Sequence, residues 1–437
     1  MTGGLLQLAA YGAQDVYLTG NPQITFFVGV YRRHTNFAVQ SIPQYFNGNS
    51  DFGQKVYCQV DRIGDLINQV FLRIKLPSLK EYAYTDENGN LAEYYWVNAV
   101  GHSIIKIIEI EIGGVVIDRQ YGLWMEIWSD LTVPVNKRAG FYSMIGKTDN
   151  PINLENDNAL DLYVPLYFWF CKNIGLSLPL IAIQSQDVRF NVTFRKYQEL
   201  IISSNGSVIN PDLNNNNSIQ ITQTYLDIDY IFLEDDERKI FAKNNHQYLI
   251  DQVQVFATSL TSNGLRQDPV NPAKMERIPD LTQNITLNFN HPIKEIAWVI
   301  QNTSVLSTYP YGGNEWFNFS TQSYKNGKIN GSDPMLKAKL VFEGQELFDT
   351  KDAKYFRTVV PFQRHTNVPN NYIYVYSFAL NPEDFQPSGT CNFSRIDSQV
   401  IYMEISDQLI DPIITVFGVN YNIINIAGGM VGVEYSN

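Results

Sequence analysis

The sequence is poor in the residues on which metal, redox and nucleophilic chemistry is usually built. Its 437 residues include three cysteines, Cys58, Cys171 and Cys391, and five histidines, His34, His102, His246, His291 and His365. The cysteines lie far apart and are odd in number, which fits neither a disulfide framework nor a paired zinc site and points to a reducing compartment. No two histidines stand at i,i+4 and none neighbours a cysteine, so no metal-ligand spacing appears and no cofactor is expected. Basic residues are also short: 32 Lys+Arg face 44 Asp+Glu, a net charge of -12. Phosphate recognition needs a basic stripe, so direct nucleic-acid binding is not expected. No run reaches the ~18 apolar residues of a membrane span, the richest region being broken by Lys106, Glu109 and Glu111. The start, Met1-Thr-Gly-Gly-Leu-Leu-Gln-Leu-Ala-Ala10, has no basic leader region, so a secretory signal is not expected.

What the chain does contain is apolar surface: 44% hydrophobic residues and 13% aromatic, with 27 Tyr and 25 Phe. That composition supports a large core, and the length suits two domains of about 200 residues. Period-two alternation dominates. Val70, Leu72, Ile74 and Leu76 face one way and Gln69, Arg73 and Lys75 the other; the pattern returns at Ile108 to Ile112, Val188 to Phe194 and Leu336 to Phe342. Each reads as a half-buried strand. Clusters of Asn, Gly, Pro and Ser at Pro77 to Asn90, Asn205 to Asn217, Thr261 to Pro272 and Tyr309 to Pro334 read as surface loops. Helical signals are few. Asn21-Pro22 with Ile24, Phe27, Val28 and Tyr31 suggests a capped helix, and Tyr121, Trp124, Met125 and Trp128 form a stripe suited to packing on a sheet. Asp235-Asp236-Glu237 begins a third helix near 235–245, its acids at the positive end of the dipole.

A search for repeats changes the reading from many strands to two copies of one unit. Asp65 to Ile74 lies alongside His291 to Ile300, matching Ile67 with Ile293, Val70 with Ile296, Leu72 with Trp298 and Ile74 with Ile300. Ile110-Glu-Ile-Gly-Gly-Val-Val-Ile-Asp118 is followed by Leu340-Val-Phe-Glu-Gly-Gln-Glu-Leu-Phe-Asp349 in the second half, and the aromatic segments Tyr121 to Trp128 and Tyr355 to Phe362 come next in each. Then come Tyr163-Val-Pro-Leu and Tyr374-Val-Tyr-Ser, and after them Gln186-Asp-Val-Arg-Phe and Ser398-Gln-Val-Ile-Tyr. These elements recurring in one order imply two antiparallel β-sandwiches in tandem, an all-β fold with a few short helices.

Candidate chemistry is thin. Gly140-Phe-Tyr-Ser-Met-Ile-Gly-Lys-Thr148 imitates a phosphate-binding loop but has one residue too many between its glycines and no helical pattern after it. Glu109 and Glu111 share a strand face, as a glycosidase pair would, but so do the acids of any solvated sheet. There is no Gly-x-Ser-x-Gly elbow. Asn-x-Ser/Thr sequons stand at Asn191, Asn205, Asn216, Asn284, Asn302, Asn318, Asn330 and Asn392. Of these Asn205, Asn216, Asn302, Asn318 and Asn330 fall in expected loops and are the candidates for glycosylation. No catalytic or metal-binding residue is expected.

Several long segments resemble the major capsid proteins of nucleocytoplasmic large DNA viruses, of the chlorella virus and iridovirus type. They are Ala10-Tyr-Gly-Ala-Gln-Asp-Val-Tyr-Leu-Thr-Gly-Asn-Pro-Gln-Ile-Thr-Phe-Phe27, Tyr31-Arg-Arg, Thr35-Asn-Phe37, Tyr163-Val-Pro-Leu166 and Gly175-Leu-Ser-Leu-Pro-Leu-Ile-Ala182. Further along are Asp229-Tyr-Ile-Phe-Leu233, Tyr248-Leu-Ile250, Leu287-Asn-Phe-Asn-His-Pro292 and Gln386-Pro-Ser-Gly-Thr-Cys-Asn-Phe-Ser-Arg-Ile-Asp397. The resemblance implies a double jelly roll, two eight-stranded sandwiches in one chain, with an N-terminal base segment at 1–35, a first jelly roll at 36–220 and a second at 221–437. It implies a non-enzymatic shell protein, made and assembled in the host cytoplasm and resident in the virion. Three copies would form a pseudo-hexagonal capsomer touching neighbouring capsomers and, at the inner face, minor capsid proteins, with glycans attached outside. A carbohydrate-binding or carbohydrate-active β-sandwich, or a minor capsid paralogue, are the competing readings.

Overall fold

The computed structural model describes residues 2–85, 91–148, 158–203, 219–267, 275–306, 313–323 and 329–435. The chain divides into two compact units, Met1–Phe37 and Ala38–Asn437. In the first, short helices at Gly3–Ala9 and Val16–Thr19 bury no residue. The helix expected after Asn21 does not form. Asn21 adopts φ 51°, in the left-handed region, whereas a capping residue needs extended backbone, and residues 24–36 contain no helix. Candidate loops at Asn205 and Asn216 lie outside the described residues.

The larger unit is built from two copies of one eight-stranded pattern. The first copy comprises β1 (Phe37–Tyr45), β2 (Lys55–Gln59), β3 (Leu66–Leu76), β4 (Ile105–Ile112), β5 (Val115–Gln120), β6 (Leu160–Pro165), β7 (Val188–Phe194) and β8 (Gln223–Leu233). The second comprises β9 (His246–Ser259), β10 (Thr282–Thr286), β11 (Pro292–Gln301), β12 (Met335–Phe342), β13 (Gln345–Glu346), β14 (Tyr374–Ser377), β15 (Gln399–Ile405) and β16 (Ile413–Ala427). Sheet order is β1-β8-β3-β6 with β2-β7-β4-β5 in the first copy, and β9-β16-β11-β14 with β10-β15-β12-β13 in the second. Adding eight to each strand number of the first copy gives the second, which is the jelly-roll order twice over.

The strand matches of the internal repeat fall on strands of equal rank, and its aromatic match falls on helical segments. Ile67, Val70, Leu72 and Ile74 of β3 and Ile293, Ile296, Trp298 and Ile300 of β11 are all buried, the first set in the core of the first sandwich and the second in that of the other. The turn after β4 has Gly113 and Gly114 at φ +60° and +85°, and the turn after β12 has Glu343 and Gly344 at 49° and 76°. Two consecutive positive φ values make the tight hairpin whose twist matches its strands.

Strand β8 pairs with β3 along most of its length, Leu226 facing Leu72. It therefore pairs within the first sandwich, which runs on to Leu233, past the 220/221 boundary expected from the resemblance. The link is helix α3 (Asp235–Lys243); further helices are α1 (Gly122–Thr132), α2 (Arg138–Ile145) and α4 (Val360–Arg364). Helix α3 buries nothing; three acids in its first turn and Lys243 in its last suit the dipole. No helix among the described residues is long and apolar enough to cross a membrane.

Helix α1 joins the two sandwiches. It opens at Gly122, where a Cβ would lie 2.1 Å from the His102 carbonyl oxygen, so only glycine permits the approach. Trp124, Ile127, Trp128 and Leu131 then pack on Val253, Ala297, Val299, Val375, Phe417 and Val419, the outer face of the β9-β16-β11-β14 sheet. Burying four such side chains is worth about 6–12 kcal/mol of gross transfer free energy.

Candidate assembly surfaces

The residues that imitate catalytic motifs are held in structural contacts. Residues 140–145 of the loop-like segment lie inside α2, which ends at Gly146 with φ 68°. The following Lys147 is bonded at 2.5 Å to Glu126 and 2.7 Å to Asp130, both on α1. The other Glu126 oxygen meets His102 Nδ1 at 2.6 Å. Burial alone would raise the Glu126 carboxyl, but Lys147 and His102 outweigh it and hold it down at about 2. Burial would likewise lower Lys147, and the two carboxylates instead raise it. A lysine so committed has no proton chemistry to offer a phosphate. It pins α2 to α1 beside a cavity of about 170 Å³ that Asn314 and Trp316 of the second sandwich also line.

Glu109 accepts from Arg119 at 2.6 Å and faces Lys55 at 3.6 Å, while Glu111 accepts from Asn191 at 2.9 Å. These are the cross-strand pairs of a polar sheet face. Burial pushes the Cys58 and Cys171 thiols up to about 12, which suppresses the reactive thiolate. The histidines do not converge, and no metal-ligating group of His, Cys, Asp and Glu occurs among the described residues.

Of the glycosylation candidates, Asn330 is exposed. Asn302 and Asn318 are 1% and 0% exposed, against the expectation of surface loops. The stretch 313–323 is a wedge between the sandwiches rather than an outer loop. Asn314 donates to the carbonyls of Gln198 and Ile201, Trp316 Nε1 donates to Glu199 O at 2.7 Å, and Arg195 stacks on Trp316 at 3.8 Å. Asn318 donates to Glu315 at 2.5 Å and to Gln322 O at 2.9 Å, and Asn302 donates to Thr321 O at 2.9 Å. A polar loop can be buried when its groups find partners in this way, and a sequence gives no sign of that.

Other contacts lock the sandwiches together. Asp118 accepts from Val253 N at 3.1 Å, Gln186 from Val431 N at 2.7 Å, and Asp251 draws in both Lys172 and Lys294, at 3.4 and 2.8 Å. Burial would raise Asp251, but the two lysines hold it below the usual carboxylate range. A mainly buried seam thus joins the two sandwiches, and the candidate motifs do not converge among the described residues.

Comparison with known proteins decides what such a pair of sandwiches is for. Residues 25–234 match the family described as major capsid protein N-terminus, and residues 237–432 match large eukaryotic DNA virus major capsid protein. The chain belongs to this capsid protein family. The two matches meet at α3, where strand pairing divides the sandwiches. The major capsid protein of Phaeocystis pouchetii virus is 34% identical over 545 residues, with both chains covered in full. That of Paramecium bursaria Chlorella virus 1 is 35% identical over 471 residues, again with full coverage of both. Among solved structures, the chain in the PBCV-1 virus capsid aligns with a TM-score of 0.75 at 28% identity, covering 94% of this chain and 100% of that one. The Faustovirus major capsid protein shares the fold, with a TM-score of 0.72 at 12% identity. This capsid protein is a structural component of the virion shell of a large DNA virus.

Sequence reasoning had no motif for the surfaces that matter here. The first unit carries a dense set of exposed apolar side chains, Leu8 at 78%, Tyr17 at 92%, Phe26 at 88% and Phe27 at 95% among them. These side chains lie along a segment whose two short helices bury nothing.

Proposed function

We propose that the protein works as a homotrimer, a pseudo-hexagonal capsomer that tiles the shell against its neighbours. One observation carries this: a single chain holds two sandwiches of identical strand order. Three such chains about a three-fold axis present six similar lateral blocks, and six similar blocks fill a hexagonal cell. The protein needs no catalysis for this role, and its buried charges act as struts. The exposed apolar first unit, Met1–Phe37, serves as the base segment that grips minor capsid proteins at the inner face. Among the candidates within the described residues, the exposed Asn330 is the glycan acceptor. Synthesis and assembly in the host cytoplasm fit three unpaired thiols.

Light scattering during size exclusion tests the trimer. A mass of about 150 kDa, three times the 50.0 kDa chain, is expected; a 50 kDa species at every concentration would overturn the proposal. A chain lacking Met1–Gly20 should keep that trimer mass and lose shell assembly, and a truncated chain unable to trimerise would refute the base-segment role.

A further inference from the structure

The seam between the sandwiches places two cations on one carboxylate. Lys294 Nζ lies 2.8 Å from Asp251 Oδ2, and Lys172 Nζ lies 3.4 Å from the same oxygen. Lys294 has the closer contact. Lys172 holds the longer one and also sits over the Trp128 ring at 4.6 Å. Burial pulls Lys172 below the ordinary lysine range, Asp251 opposes this, and Lys294 adds to it. The neighbouring acids do not complete the pairing. Asp118 gives its oxygens to Val253 N and to Gln120 Nε2, and Glu295 faces His365. Glu383 spends its own on His365 Nδ1 and on the amide and hydroxyl of Thr366. A desolvated cation that shares its counter-charge with another is under-compensated.

Beside this lysine is a cavity of about 320 Å³. Phe71, Trp128, Pro165 and Leu166 give it an apolar wall, and its charged groups are Lys172 and Glu383. Tyr167, on the same wall, has a buried hydroxyl with no hydrogen-bond partner in the chain. The lining comes from both sandwiches, since Phe71 belongs to β3 and Glu383 follows β14. Small-molecule sites start at about 300 Å³, favour such junctions, and combine an apolar wall with a few polar groups of disturbed ionisation. We propose that this cavity binds a small apolar carboxylate, its head on Lys172 and its body against Trp128 and Phe71. The charge balance selects the class. A single negative head supplies the counter-charge that Lys172 shares with Lys294. A cationic ligand would meet Lys172 with no uncommitted acid on the wall to hold it. A neutral one would leave the lysine as it is. A phosphate dianion would need a second cation, and the cavity wall has one. A molecule seated here touches both sandwiches, so its binding also tightens the seam.

The test titrates the full chain by calorimetry with naphthoate and with naphthylmethanol, which keeps the ring system and lacks the charge. One naphthoate per chain is expected, with a Kd below about 100 µM and at least about tenfold tighter than naphthylmethanol. In Lys172→Met that preference should shrink to within about twofold, because the variant keeps the side chain's bulk and removes its charge. No saturable naphthoate binding up to about 1 mM, equal affinity for the two probes, or an unchanged preference in Lys172→Met would each overturn the proposal. A second variant leaves the lysine in place. Thr132→Trp, at the cavity wall on the last residue of α1, fills the space and should abolish binding of both probes. Naphthoate that binds Thr132→Trp as it binds the unmodified chain lies elsewhere, and the cavity assignment falls. Naphthoate should also raise the thermal unfolding midpoint of the unmodified chain and not that of Thr132→Trp; an equal rise in both would refute the site.

Discussion

The third strands of the two sandwiches, β3 and β11, hold the same rank in the same fold and differ in what covers them. Inward positions of β3 are Ile67, Val70, Leu72 and Ile74, and those of β11 are Ile293, Ile296, Trp298 and Ile300, all buried. Outward, β3 shows Gln69, Phe71, Arg73 and Lys75, part or fully exposed, whereas β11 shows Glu295, Ala297, Val299 and Gln301, all buried. A strand covered on one side alternates; one covered on both reads as nearly continuous apolar sequence. The duplicated core is common property, and the outer faces have diverged to suit different neighbours.

The difference can be broken most severely from the covered side. Trp124→Ala removes a fully buried ring from the α1 contact, and a loss of about 3–5 kcal/mol in unfolding free energy is expected, read by chemical denaturation. A loss below 1 kcal/mol would mean that α1 contributes little to joining the sandwiches.

A second, smaller effect comes from a charge buried on the same face of β11. Glu295 of β11 lies 3.1 Å from His365 Nε2, and Glu383 lies 3.0 Å from its Nδ1. Burial would lower this histidine, but Glu295 and Glu383 overcome that and raise it to about 9. A raised folded-state value means the stabilisation is complete below the unfolded value of about 6.5 and is lost as pH climbs through about 9, roughly 3 kcal/mol in all. Thermal unfolding should therefore weaken between pH 6.5 and 9.5, and Glu295→Gln should flatten that slope. The equivalent position on the open sheet is Gln69, so Gln69→Glu should introduce no such slope. An unchanged pH profile in Glu295→Gln would remove the ion pair as its cause.

The smallest effect is the sharpest control. Phe362→Ala, at the open counterpart of Trp128, should shift the unfolding free energy of dissociated chains by within about 0.5 kcal/mol. Trp128→Ala should cost about 3–5 kcal/mol. Equal losses at the two sites would show that the exposed segment is already covered within the chain.

Much of this was legible beforehand. Alternation located β3, β4, β7 and β12, the Tyr121 to Trp128 stripe located α1, and the repeat aligned strands of equal rank, because side chains that fill a core must recur at the sheet's period. The buried charges were less legible. Lys147 reads as part of a phosphate loop until Glu126 and Asp130, on another element, are seen to hold it. Asn302 and Asn318 read as loop residues because polar composition does not reveal whether its hydrogen-bond partners are protein or water.

By itself the sequence determined two copies of an antiparallel sandwich and, through its long matching segments, the capsid family. Those follow from local periodicity and residue type, which the chain carries wherever it folds. Tertiary structure alone decided that β8 closes the first sandwich, that residues 313–323 are a wedge, and that one sheet face is sealed while its twin stays open. These depend on which distant segments meet, and burial of a face is a property of its neighbour as much as of its own residues.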